Sequence, residues 1–166
     1  MWINGIRFVL TQSCHIRFIT SQVVRIATAL SLGGYIKKVV GLYMQRGFRI
    51  VEMQMYRQFE PLRGPLTEMK ITMNVCSEAE HVGDIERLNR TVKEDARGVV
   101  THLPYKKLPG RMVIELVHLC TFWLNVFPPG LKKIHPTMSP RAILTGLEVD
   151  LNNHCKLEFG EYVHTH

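Results

Sequence analysis

Apolar positions along this chain first alternate, then recur at helical spacing, then alternate again. Ile3–Val9 places apolar residues around the dipeptide Asn4-Gly5, a hairpin signal because both turn residues accept positive φ. Ile16–Thr20 reads as the strand that partners it. From Ser21 the period changes. Val23, Val24, Ile26, Ala27, Leu30, Leu32, Ile36, Val39, Val40 and Tyr43 predict a helix, with Ser21 as N-cap and Gly47 as C-cap. Gly33-Gly34 is expected to interrupt or kink it, at about 1 kcal/mol per glycine relative to alanine. Phe48–Met55 returns to β-formers. Pro61–Lys70 predicts a short helix entered through a loop, and Ile71–Cys76 another strand. A long helix follows over 80–101, then a basic, proline-bounded linker, His102–Pro109. Arg111–Val126 is apolar nearly all round, which predicts a buried helix that Pro128-Pro129 ends. Ser139–Thr145 predicts a short helix with Ser139 as N-cap and Pro140 at its first position. Lys156–His164 predicts a last strand. Strands early and a helix pair late imply an α/β three-layer fold on a mixed sheet.

Composition narrows the function classes. The chain has 166 residues, enough for one domain with a real core, and 46% hydrophobic content is ordinary for a globular protein. A net charge of +7 favours a polyanionic partner, DNA, RNA or an anionic surface. The most hydrophobic stretch, Met112–Phe127, is short of a membrane span and contains Glu115, His118 and Asn125, so no membrane partner is expected. No secretory signal is visible in MWINGIRFVL, where Arg7 interrupts the apolar run. The four cysteines, Cys14, Cys76, Cys120 and Cys155, form no CxxC pair, so a structural zinc site is not expected. Cys14, Cys76 and Cys120 lie in apolar segments and read as buried thiols in a reducing compartment. An intracellular location, nuclear or cytoplasmic, follows as the expectation. His164 and His166, two apart at the end, fit a strand face or a tail better than a metal site.

The stretch 81–97, HVGDIERLNRTVKEDAR, carries the candidate chemistry. On a helix, offsets of three, four and seven return to one side, so Glu86, Asn89, Arg90 and Lys93 share a face. Two readings fit. One is a solvated face with an i, i+4 Glu86–Arg90 pair worth a few tenths of a kcal/mol. The other is a carboxylate that holds a divalent metal beside a nucleic-acid backbone. Spacing alone does not choose between them.

The same run, H-V-G-D-I-E-R-L-N-R-T-V-K-E, resembles the active-site helix of copia-type retrotransposon integrases, which read G-x-x-E-R-x-N-R-T. Collinear segments agree: Tyr43-x-x-Arg46-Gly47-Phe48, Phe59-Glu60-Pro61-Leu62-Arg63-Gly64, Phe122-Trp123-Leu124-Asn125, Ser139-Pro140-Arg141-Ala142 and Leu157-Glu158-Phe159-Gly160. The resemblance spans essentially the whole chain. It implies an RNase H-like core over residues 1–128, lacking the first strand, and a post-core segment, 129–166, that docks on the core or extends it. It also implies a metal-dependent polynucleotidyl transferase, in which three acids hold two Mg2+ or Mn2+ ions that activate a water or a DNA 3′-hydroxyl. By the match, Glu86 is the third acid and a metal ligand. Asn89, Arg90 and Lys93 form the DNA-facing side of its helix. The implied partners are retroelement ends and target DNA, with the long apolar helix as a dimerisation element.

The other two acids have no counterpart. The second belongs at the end of the strand Phe48–Met55, where this chain reads Met55-Tyr56-Arg57-Gln58. Tyr56 stands in the acid's place. The first belongs on a strand ahead of Asn4-Gly5, where the sequence holds only Met1–Ile3. As substitutes, Glu52 lies two pairs back toward the core and Asp84 points away from Glu86, while Glu60, the best placed, needs its loop to fold back. With one carboxylate left, two-metal binding and catalysis are expected to fail, and no metal is expected to bind here. What remains is a degenerate integrase core or a basic module without chemistry. Arg87, Arg90, Lys93 and Arg97, with Lys106, Lys107 and Arg111, are its candidate nucleic-acid contacts, or simply solvated charges.

Overall fold

The computed structural model describes residues 1–76, 83–105, 107–127, 135 and 137–161. They form an α/β protein of two compact units. One comprises Met1–Val23 and Asn89–His166, and the other Val24–Leu88.

The first unit opens with an antiparallel sheet. Strand β1 (Trp2–Ile3) pairs with β2 (Ile6–Gln12) across Asn4-Gly5, in the register Trp2↔Arg7 and Ile3↔Ile6. Asn4 and Gly5 have φ of 48° and 77°, the left-handed pair that matches the twist of a two-residue hairpin. Strand β3 (Ile19–Val23) pairs antiparallel with β2 from Gln12↔Ile19 to Phe8↔Val23. The helix expected from Ser21 therefore begins later. Ser21 and Val23 are strand residues, and β-branched density with alternation over 19–23 outweighs a short helical pattern.

Two long helices complete the described core of this unit. From α3 (Gly83–His102) Val92 and Ala96 are buried. From α4 (Gly110–Val126) Val113, Leu116, Val117 and Cys120 are buried, as the all-round apolar pattern predicts. Helix α4 packs on β2 and β3, and α5 (Pro140–Thr145) packs on α4. Ser139 caps α5 through the Ala142 N–H with Pro140 inside the first turn, as expected, and Gly146 closes it at φ 69°. A last short helix, α6 (Leu151–His154), went unpredicted because its four residues carry no period. Within the expected strand Lys156–His164, residues 156–161 form bends and turns, and 162–166 lie outside the described residues.

The second unit is a β-helix-β passage with a helix ahead of it. Helix α1 (Ala29–Met44) starts at Thr28, whose hydroxyl accepts from the Ser31 N–H while the Ser31 hydroxyl answers the Thr28 N–H. It runs unbroken through Gly33-Gly34, because its buried stripe of Leu32, Tyr35, Ile36, Val39, Val40 and Tyr43 supplies more than two glycines remove. Gly47, at φ 78°, closes the end, with the Phe48 N–H donating to Tyr43 C=O at 3.0 Å. Strand β4 (Glu52–Tyr56) leads into a 3₁₀ turn, Arg57–Leu62, and then α2 (Arg63–Glu68). Strand β5 (Thr72–Cys76) returns parallel to β4, in register from Glu52↔Thr72 to Tyr56↔Cys76. Leu62 and Leu66 are fully buried beneath this pair. Among the described residues the strands thus make one three-stranded antiparallel sheet and one two-stranded parallel pair, where the sequence predicts a single mixed sheet.

Cys120 is buried and Cys76 half-buried, but Cys14 is exposed, in the turn between β2 and β3. Its apolar neighbours Ile16 and Phe18 take the interior positions there instead.

Candidate functional site

Strand β4 ends at Tyr56, where the chain turns into the 3₁₀ segment, and the parallel register sets Cys76 opposite. Glu86 lies in the first turn of α3. The three side chains converge. The Tyr56 phenol is hydrogen-bonded to the Glu86 carboxylate, and the Cys76 thiol lies close enough to act on it. Partial burial first, then the negative charge of Glu86, then Cys76, hold the phenol above its usual range. At neutral pH Tyr56 is therefore a neutral O–H donor that the carboxylate accepts.

That chemistry does not fit a two-metal centre. Two divalent cations a few ångströms apart need several anionic oxygens. A protonated phenol offers no anionic charge, and it donates to the Glu86 carboxylate where the second acid would face it. The other acids are engaged elsewhere. Glu52 accepts from the Asn74 side chain on β5, Glu60 pairs with Arg63 at 2.7 Å, and Asp84 pairs with Arg87 at 3.6 Å. Among the described residues no three His, Cys, Asp or Glu side chains gather to hold a metal.

The expected nucleic-acid contacts lie along α3. Arg87, Arg90 and Arg97 are exposed, Asn89 and Lys93 half-buried. The core-facing stripe is Leu88, Val92 and Ala96, all buried. Lys93 sits near the amino group of Met1, which it and Arg7 both push toward deprotonation after burial has done so first. Lys107 is exposed, and Arg111 is held by Glu115 at 2.7 Å. Lys106 lies outside the described residues, as do 80–82, where the helix was expected to begin.

Two arrangements escape a reading of the sequence. Trp2 and Arg7 are stacked, with the guanidinium carbon 4.5 Å from the ring centroid. Their pairing follows from a two-residue loop at Asn4-Gly5, so the register was available to find it. The second is a polar seam between α4 and β3. Asn125 Oδ1 accepts from the Ile19 N–H at 2.7 Å and its Nδ2 donates to Ile19 C=O at 2.8 Å. Ser21 Oγ meets His118 Nδ1 at 2.9 Å and Thr121 Oγ1 at 3.0 Å. The signal was three polar residues, His118, Thr121 and Asn125, at offsets of three and four in a helix that is otherwise apolar after Glu115.

No helix among the described residues is long and apolar enough to cross a membrane. Compared with known proteins, the chain matches no family model and no curated sequence.

Proposed function

We propose that this chain is a nucleic-acid-binding remnant of a copia-type integrase core, RNase H-like in descent, that does not catalyse phosphodiester transfer. The observation that carries the reading is the phenol–carboxylate pair of Tyr56 and Glu86. In the family a second acid belongs where Tyr56 stands. Its replacement converts a repulsive carboxylate pair, which a cation relieves, into a satisfied hydrogen bond that needs none. Without metals the negative charge on the oxygens of the pentacoordinate phosphorus lacks the cations that would neutralise it and activate the nucleophile. The net charge of +7 and the exposed arginines of α3 support retention of DNA binding.

Titration calorimetry with Mn2+ and a strand-transfer assay on oligonucleotide ends test the loss of catalysis. The purified chain is expected to show no metal-dependent strand transfer. Tyr56→Asp is expected to create measurable Mn2+ affinity beside Glu86 without restoring turnover, because the first acid is still missing. Strand transfer by the unmodified chain overturns the proposal. Binding is tested by anisotropy against duplex DNA at rising salt. Affinity is expected to fall steeply, with a log–log slope of about −0.9 per phosphate neutralised.

A second reading, an assembly module indifferent to DNA, draws on Ile26 and Leu30, apolar side chains 72% and 88% exposed. It predicts concentration-dependent dimerisation and a flat salt response in the same experiment.

A further inference from the structure

We infer that Trp2, Arg7 and Lys93 form a contact for a single-stranded nucleic acid, in which an unpaired base stacks on the Trp2 indole and the adjoining phosphates meet the two cations. This deepens the proposed function and rests on it.

The hairpin builds the platform. The left-handed turn at Asn4-Gly5 fixes Trp2 directly across from Arg7, on one face of the sheet. The guanidinium then lies over one face of the indole, a cation–π arrangement that orders both side chains. The indole remains 54% exposed, a large aromatic surface in water. Lys93 enters from α3. It and Arg7 both act electrostatically on the Met1 amino group, next in the chain to Trp2, so the exposed indole lies in a region of positive charge.

An exposed aromatic flanked by cations fits a ligand that is planar on one side and anionic on the other. A nucleotide in a single strand has that form. In a duplex the base faces are covered by their neighbours, and only the phosphates reach such a surface. Stacking is also tolerant of sequence, because every base has a π-face. An anionic membrane surface would meet the same charges, but an interfacial tryptophan anchors among apolar neighbours, and this one has a guanidinium laid over it.

The test uses the full chain with Trp123→Phe, so that emission reports Trp2 alone. A 12-nucleotide single strand, in deoxy and ribo forms, is compared with a duplex of the same sequence and with vesicles of anionic phospholipid. The single strand is expected to quench Trp2 emission. Trp2→Leu is expected to weaken single-strand binding about tenfold, from the loss of one stacked base, and to leave duplex affinity within about twofold. Trp2→Phe, which keeps a ring, should recover most of the loss. Lys93→Gln should weaken both nucleic-acid arms and lower the salt slope of each by about one. Equal binding of the deoxy and ribo strands and a preference for either one both support the contact, the second showing that the sugar takes part as well.

The inference is overturned if Trp2→Leu binds the single strand as well as the parent while duplex binding stays salt-dependent, an outcome that leaves the proposed function intact. It is overturned as well if Trp2 emission responds to the vesicles and not to the oligonucleotides. Failure of every nucleic-acid arm overturns both readings.

Discussion

Asn125 is 6% exposed and holds both polar groups of one residue, the N–H and C=O of Ile19. Truncating it leaves two buried backbone groups without partners. Asn125→Ala is therefore expected to cost about 2–4 kcal/mol in urea unfolding, more than an apolar truncation of similar size. Cys120, on the same helix, makes a pH argument. Burial first, then the charge of Asp95, raise its thiol from 9.0 to about 11. Above pH 9 the unfolded chain releases this proton while the folded chain keeps it, so stability falls as pH rises from 9 toward 11. The loss should be on the order of 2 kcal/mol, and Cys120→Ala, less stable throughout, should show a flatter profile in that window. At this scale the sequence was half legible. The helix that carries Glu86 and the strand that leads to Tyr56 were legible in the pattern of apolar and β-forming residues. The hydrogen bond between the two side chains was not, because it joins a strand end to a helix 30 positions later, and no periodicity encodes such a meeting.

Elements were easiest to read where local chemistry is strong. Ser139-Pro140 and the Asn4-Gly5 hairpin stand where their residue types demand. The start of α1 did not, since Ser21 and Thr28 are both capping residues and only Thr28 has a serine three positions on to close a reciprocal pair. The end of α2 carries a local conflict. Lys70 sits at φ 57°, left-handed, with the Ile71 N–H donating to Leu66 C=O at 2.9 Å in the manner of a glycine-closed helix. A side chain there is strained by about 1 kcal/mol. Lys70→Gly is expected to raise the thermal midpoint slightly, with a net gain of up to about 0.5 kcal/mol once the entropy of the unfolded glycine is deducted. Differential scanning calorimetry on the two chains checks the sign.

At the scale of the molecule, the chain leaves its first unit at Val23 and comes back to it at Asn89. The second unit is local: β4 and β5 pair residues 20 positions apart. The first needs Ile19 to find Asn125, a separation of 106. Loop closure makes distant contacts late, so pulse-labelled hydrogen exchange is expected to protect β4, β5 and α1 before β3 and α4. Earlier protection of β3 would count against this order. No low-complexity stretch or evident linker in the sequence marks that division. The Asn125 amide has a consequence beyond the single molecule. Phe18 C=O faces β2 by accepting from Ser13, so the groups of Ile19 point the other way, to the outer rim of the sheet. There a side chain from α4 occupies the positions another chain would use to extend the ladder. The amide is thus a stopper against strand addition, and turbidity at high protein concentration should rise in Asn125→Ala before the fold itself is lost.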